Sequence, residues 1–200
     1  MAEPAGDSSA KVIYLRSYGE RDRDDHAVVG QVLDATVEML RGAAFADLTT
    51  RRIAEQAGVP HAELCAYFRS KDAIVAEVSL GPLRGAPLTV DVDEPARARV
   101  VTLFDQLVML LAEEPALAAA CSSALISTEP SVQAIRRRIH GELHRRVRTV
   151  LRSSAWPEVA ETLEFSLVGA MVQASSGATT FRDTADTLAR VVAAVLPDGS

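Results

Sequence analysis

The chain has 200 residues, of which 48% are hydrophobic and only 4% aromatic, and it carries a formal net charge of −6. That much apolar material supports a substantial core in one large or two small domains. The acidic balance argues against holding nucleic acid by overall charge, and no apolar run reaches the ~18 residues a spanning helix needs.

Cys65 and Cys121 are far apart and form no C-x-x-C pattern, which suits reduced thiols in a cytoplasmic protein. No apolar leader with a small-residue cleavage site precedes the first helical period. Ala and Val are abundant, Gly and Pro are modest, and neither strand alternation nor an internal repeat occurs. The expected class is all-α.

Residues 1–24 are polar, with charges of alternating sign at Arg21-Asp22-Arg23-Asp24, and read as a flexible arm. A helical period starts near Asp25, with Val29, Val32, Leu33, Val37 and Leu40 in one apolar stripe. Thr49 is the expected N-cap of a short helix whose inward face is Ile53, Ala54 and Ala57. Gly58 supplies the following turn, and His61–Phe68 forms a second short helix with Leu64 and Phe68 inward. Ser70 caps a fourth helix carrying Ile74, Val75 and Val78, which is expected to stop near Leu80.

Two short helices joined by a Gly turn are the grammar of a helix-turn-helix, whose second helix can enter a DNA major groove. From Arg41 to Lys71 five basic residues face three acidic ones, a local +2 that permits DNA binding without arguing for it.

Gly81-Pro82-Leu83-Arg84-Gly85-Ala86-Pro87 is not expected to continue a helix, so 81–94 reads as a linker between a head over 25–80 and a body over 95–200. In the body, Pro95–Glu113 is apolar almost all round and reads as a buried helix. Pro115–Ile126 is short and Ala-rich. Glu129–Arg152 carries the stripe Val132, Ile135, Ile139, Leu143, Val147 and Val150. Glu158–Gly177 and Asp183–Leu196 complete the set, each with an apolar stripe and small residues that allow close helix approach.

At Val32–Val78 the chain resembles the tetracycline-repressor (TetR) family of transcriptional regulators. The carriers are Leu40–Phe45, Leu48-Thr49-Thr50, Ile53-Ala54, Ala57-Gly58-Val59, Leu64, Tyr67-Phe68 and Ser70-Lys71-Asp72-Ala73. The resemblance implies a DNA-binding head, a ligand-binding body, and a homodimer joined by the last two helices as a four-helix bundle. It places Thr49 and Arg51 near a phosphate, His61 and Ala62 at base edges, and Tyr67 and Lys71 on backbone phosphates. These chemistries suit the roles, since helix N-termini, a Lys ammonium and a Tyr hydroxyl all favour phosphate. The chain departs from the family pattern at Pro60, Glu63 and Cys65, where a small polar residue, a hydroxyl and an aromatic ring are usual. Glu63 would repel a phosphate, unless it accepts from cytosine N4 or pairs with Arg69.

Phe104, Leu107, Val108, Leu111, Leu143, Trp156 and Phe165 are candidates to line an apolar effector cavity, with Arg138 as a cation for an acidic ligand. They are also what any helical core contains. The expected dimer face is Leu163, Leu167, Ala170, Met171, Leu188, Val192 and Val195. His140 and His144, four apart, share one helix side and could take Cys121 or Glu142 as a third metal ligand, but they read better as a partly solvated pair. The basic residues around them read as a solvated face, and Cys65 as an ordinary thiol rather than a redox switch. No nucleophile triad, P-loop, dinucleotide fingerprint or zinc-protease motif occurs, so no enzyme, metal or cofactor is expected.

The expected function is a ligand-responsive repressor with operator DNA, a second copy of itself and a small effector as partners. The alternative is a dimeric small-molecule-binding or scaffold protein with a degenerate helix-turn-helix.

Overall fold

Side-chain caps set the ends of the first elements. The computed structural model describes residues 26–85, 89–152 and 156–196, and the expected arm at 1–24 lies outside them. Helix α1 covers 26–42, and a single 3-10 turn follows at Phe45–Asp47. Thr49 then accepts a hydrogen bond from the Arg52 backbone N–H and starts α2, Thr50–Ala57. Gly58 ends α2 in the left-handed region, at φ 68° and ψ 25°, where a side chain would be strained. Helix α3 is His61–Tyr67. Ser70 accepts from the Ala73 N–H and starts α4, Lys71–Val78. Caps of this kind are each worth about 1 kcal/mol.

Helix α4 is surrounded. Ala73, Ile74, Val75, Ala76 and Val78 are all buried, so no amphipathic stripe marks it. Immediately after it the chain forms α5, Leu80–Gly85. This corrects the expectation that Gly81-Pro82-Leu83-Arg84-Gly85 is non-helical. Pro82 sits in the first turn of α5, where a missing N–H costs no hydrogen bond.

Five longer helices follow: α6 Ala96–Ala112, α7 Pro115–Leu125, α8 Pro130–Leu151, α9 Pro157–Ser175 and α10 Phe181–Val195. Each lies within two residues of its expected bounds, and the described residues contain no strand. The protein is all-helical. No single helix is long and apolar enough to cross a membrane, and the apolar run in α6 is buried through Val100, Leu103, Phe104, Leu107 and Val108.

Two apolar cores result. One unites the head with α4, α7 and the first half of α8, through residues such as Leu40, Ile53, Leu64, Ile74, Ala124 and Val132. The other joins α5, α6, the second half of α8, α9 and α10, through Leu83, Phe104, Leu143, Leu163, Leu167 and Leu188. Ile139 on α8 packs against both. Helix α4 therefore touches α7 and α8 directly, and a signal need not travel through 81–94 to reach the head.

Candidate nucleic-acid interface and ligand cavity

Helices α2 and α3 bury Ile53, Ala54 and Leu64 inward and turn the rest of their surface outward. Thr49, Arg51, His61, Ala62 and Tyr67 are all exposed on that edge. Within it, His61 Nε2 lies 3.0 Å from Thr50 Oγ1 and 3.5 Å from Cys65 Sγ. The imidazole thus joins the start of α2 to the middle of α3 while remaining at the surface. Arg52 is engaged, its Nη1 donating to the Asp47 carbonyl at 2.9 Å. Arg51 and Arg69 are exposed cations on this side, and Glu63 is an exposed carboxylate on α3.

Lys71 is the departure from expectation at this edge. Its Nζ donates to the carbonyls of Phe45 and Ala46 at 3.0 and 3.1 Å and lies 4.6 Å from the Phe45 ring centroid. The ammonium satisfies two carbonyls of the 3-10 turn that precedes α2 and ties the start of α4 to that turn.

A cavity of about 480 Å³ lies where the two cores meet. Its wall takes Leu33 and Val37 from α1, Val78 and Leu83 from α4 and α5, and Leu107, Leu110 and Leu111 from α6. Leu117 and Cys121 of α7, Ile139 and Leu143 of α8, and Val168, Met171, Val172 and Ser175 of α9 also stand on it. The volume and apolar lining fit a small organic ligand.

Of the expected lining residues, Leu107, Leu111 and Leu143 stand on this wall. Phe104 and Val108 are buried in the α6 core away from it. Trp156 and Phe165 are each 78% exposed and are corrected to surface positions. Trp156 precedes the first turn of α9, and Phe165 lies on the side of α9 opposite the core-facing Leu163 and Leu167. Arg138 is corrected too. It lies outside the cavity, with Nη1 2.6 Å from Glu77 Oε2, tying α8 to α4. The arginine of this helix that turns inward is Arg146, only 3% exposed, which donates to Glu142 and to the Leu83 carbonyl of α5.

The expected dimer face needs a similar correction. Leu163, Leu167, Leu188 and Val192 are buried inside the protomer and offer nothing to a second copy. Met171 lines the cavity. Ala170 and Val195 remain half-exposed, and Phe165, Val168 and Val172 are exposed, the two valines also lining the cavity. The outward apolar face of α9 and α10 is this second set.

His140 and His144 converge on Glu164 of α9, a buried carboxylate, and not on Cys121 or Glu142. His144 Nδ1 is 2.8 Å from it and His140 Nδ1 3.8 Å. Among the described residues no group of three or more ligating side chains is arranged to hold a metal ion. Glu142 is committed elsewhere: hydrogen bonds from Arg145, then from Arg146, bring its carboxyl down to about 2. Burial pushes the Cys121 thiol up, so it stays neutral on the cavity wall.

The profile of the family described as bacterial regulatory proteins, tetR family, matches residues 32–78. An HTH-type transcriptional regulator of Mycobacterium tuberculosis H37Rv is 39% identical over 178 residues, covering 88% of this chain and 84% of the relative. Among solved structures, a TetR transcriptional regulator from Rhodococcus sp. RHA1 superposes with a TM-score of 0.73 at 17% identity, over 88% of this chain and all of that one. The regulator FadR from Bacillus subtilis, solved with stearoyl-CoA, gives a TM-score of 0.57 at 16% identity, over 83% of this chain and 98% of that one. At such identities the two structures show the shared fold alone.

Proposed function

The chain belongs to the tetR family of transcriptional regulators, and from that premise we propose that it is a repressor released by a small, largely apolar effector. As a homodimer it holds two α3 helices in successive major grooves, roughly 34 Å apart. Arg51 and the start of α2 meet a phosphate, His61 and Ala62 meet base edges, and Tyr67 meets the backbone. Lys71 acts one step back, by tying the start of α4 to the turn that precedes α2.

The observation that carries the reading is the position of the cavity. It lies between the core that contains the head and the core that contains α9 and α10, and its wall includes α1, α4 and α5. A ligand there changes the distance between the cores, and α4 is buried against both the head and α7. An effector that fits one separation better than the other shifts the population between a DNA-competent and a released dimer. A coupling of about 1–3 kcal/mol, the usual range, changes operator affinity roughly 5- to 150-fold.

Footprinting of the full-length protein on the DNA upstream of its own gene tests the proposal. A protected pseudo-palindrome at low ionic strength is the expected result, and no protection at any protein concentration would count against it. The degenerate-head reading draws on the internal engagement of Lys71 and on the exposed carboxylate of Glu63. Under that reading Arg51→Ala changes no binding property at all.

A further inference from the structure

Helix α3 presents small side chains at its outermost point. Leu64 packs inward, and at about 100° per residue the positions furthest round from it are Ala62 and Ala66, both exposed. Two methyl groups let the α3 backbone come close to whatever lies outside. They offer only apolar contact, of the kind a thymine methyl accepts. Hydrogen bonding at this surface falls to the flanking positions His61, Glu63 and Cys65, all of them exposed. His61 shares its Nε2 between Thr50 Oγ1 and Cys65 Sγ. Among the described residues no hydrogen bond or ion pair meets the Glu63 carboxylate, so both its oxygens are unspent.

The structural tasks of a carboxylate in a first helical turn are closed to Glu63. A capping box needs the side chain to accept from the N-cap N–H, and the N-cap of α3 is Pro60, which has none. Arg69, the cation that follows α3, makes no ion pair with it among the described residues. The side chain is exposed and covers no core. Left among phosphates it would weaken DNA binding, whereas a base-edge donor would make it favourable.

The bases differ sharply as partners for a carboxylate in the major groove. Guanine presents N7 and O6 and thymine presents O4, acceptors that repel it. Adenine offers N6–H but sets the N7 acceptor beside it, against the second carboxylate oxygen. Cytosine presents the N4–H donor alone.

We infer that Glu63 reads cytosine: in each half-site its carboxylate accepts from a cytosine N4 amino group and so specifies a C·G pair. The inference rests on the repressor reading above and sharpens it, by naming a residue that sets which operator the head prefers.

The test starts from random duplex DNA, so that no operator need be known. Full-length wild type selects sites from the library, and each half-site position is then changed in turn to the other three pairs. Affinities are read by fluorescence anisotropy. At one position in the half-site, replacing cytosine should weaken wild type roughly 5- to 150-fold. Glu63→Ala should bind all four pairs at that position almost equally and keep its preferences elsewhere. Glu63→Gln should move the preference there to adenine, whose N6 and N7 suit a carboxamide. Helical circular dichroism should be unchanged in both variants, because the side chain is exposed.

Both variants binding every site more tightly by one common factor, with the wild-type base preferences intact, would overturn the inference and leave Glu63 as a carboxylate that only repels phosphate. Selected sites in which no position demands cytosine would overturn it as well, with the repressor reading intact. Failure of wild type to enrich any sequence would take down the repressor reading and this inference together.

Discussion

Single residues decide how well the reading edge is built. Gly58 holds its turn at φ 68°, a conformation that costs an L-residue about 1–2 kcal/mol. Nothing crowds its missing Cβ, so Gly58→Ala should lose that backbone term alone in urea denaturation. A loss well above it would reveal a packing role. Arg51 and Lys71 are expected to part company under mutation. Arg51→Ala should weaken DNA binding and leave the melting temperature unchanged, because the side chain is exposed. Lys71→Ala should lower both, since it removes two hydrogen bonds to the Phe45 and Ala46 carbonyls.

Acid provides another residue-level check. The Glu142 carboxyl lies at about 2 in the folded protein against an ordinary 4.5. Its contribution is therefore complete above 4.5 and is lost as the pH falls from there towards 2. Glu142→Gln should flatten the stability curve across that window, and an unchanged curve would contradict the assignment.

At the scale of elements, α9 explains both what the sequence shows and what it hides. Its apolar residues include Leu163, Phe165, Leu167, Val168, Met171 and Val172, which spread over most of the helix and leave only a narrow polar stripe at Glu158, Thr162, Ser166 and Gln173. Periodicity therefore gives a helix but not which apolar face stays within the protomer. The structure assigns Leu163 and Leu167 to the core, Met171 and Ser175 to the cavity, and Phe165 to the surface. We therefore expect Phe165→Glu to give a folded monomer by light scattering, with helical circular dichroism intact. Leu167→Glu should unfold the chain instead. A dimeric Phe165→Glu protein would move the interface off this face.

Other elements were plainer in the sequence. The caps at Thr49 and Ser70 and the turn at Gly58 are local chemistry, legible without tertiary contacts. Helix α5 was not, because Gly81 and Pro82 read as breakers until Pro82 is seen to occupy a first turn. Ser175 and the cavity face of α1 were equally hidden. Leu33 and Val37 look like ordinary core positions, and only the arrangement of α1 against α6 and α7 makes them a wall.

The whole molecule is two cores that share α8 and enclose a cavity at their seam. Polar ties cross from α4 to α8 at both ends, Ser70 to Glu129 and Arg138 to Glu77. They link the base of the head to the element that both cores use. The Arg138–Glu77 pair is partly exposed and contributes about 0–1 kcal/mol to stability. Arg138→Ala should thus leave the melting temperature nearly unchanged. It should also shrink the change in operator affinity that a bound ligand produces, and full coupling in that variant would mean the signal takes another path.

The account depends most on the exposed edge of α2 and α3 meeting a polyanion. Its most direct test is the salt dependence of binding between the purified protein and its own upstream DNA, followed by fluorescence anisotropy for wild type and Arg51→Ala. Log affinity should fall linearly with log salt, and the slope should shrink by about 0.9 for each phosphate contact that the substitution removes. Absence of binding at low ionic strength, or identical slopes for the two proteins, would contradict it.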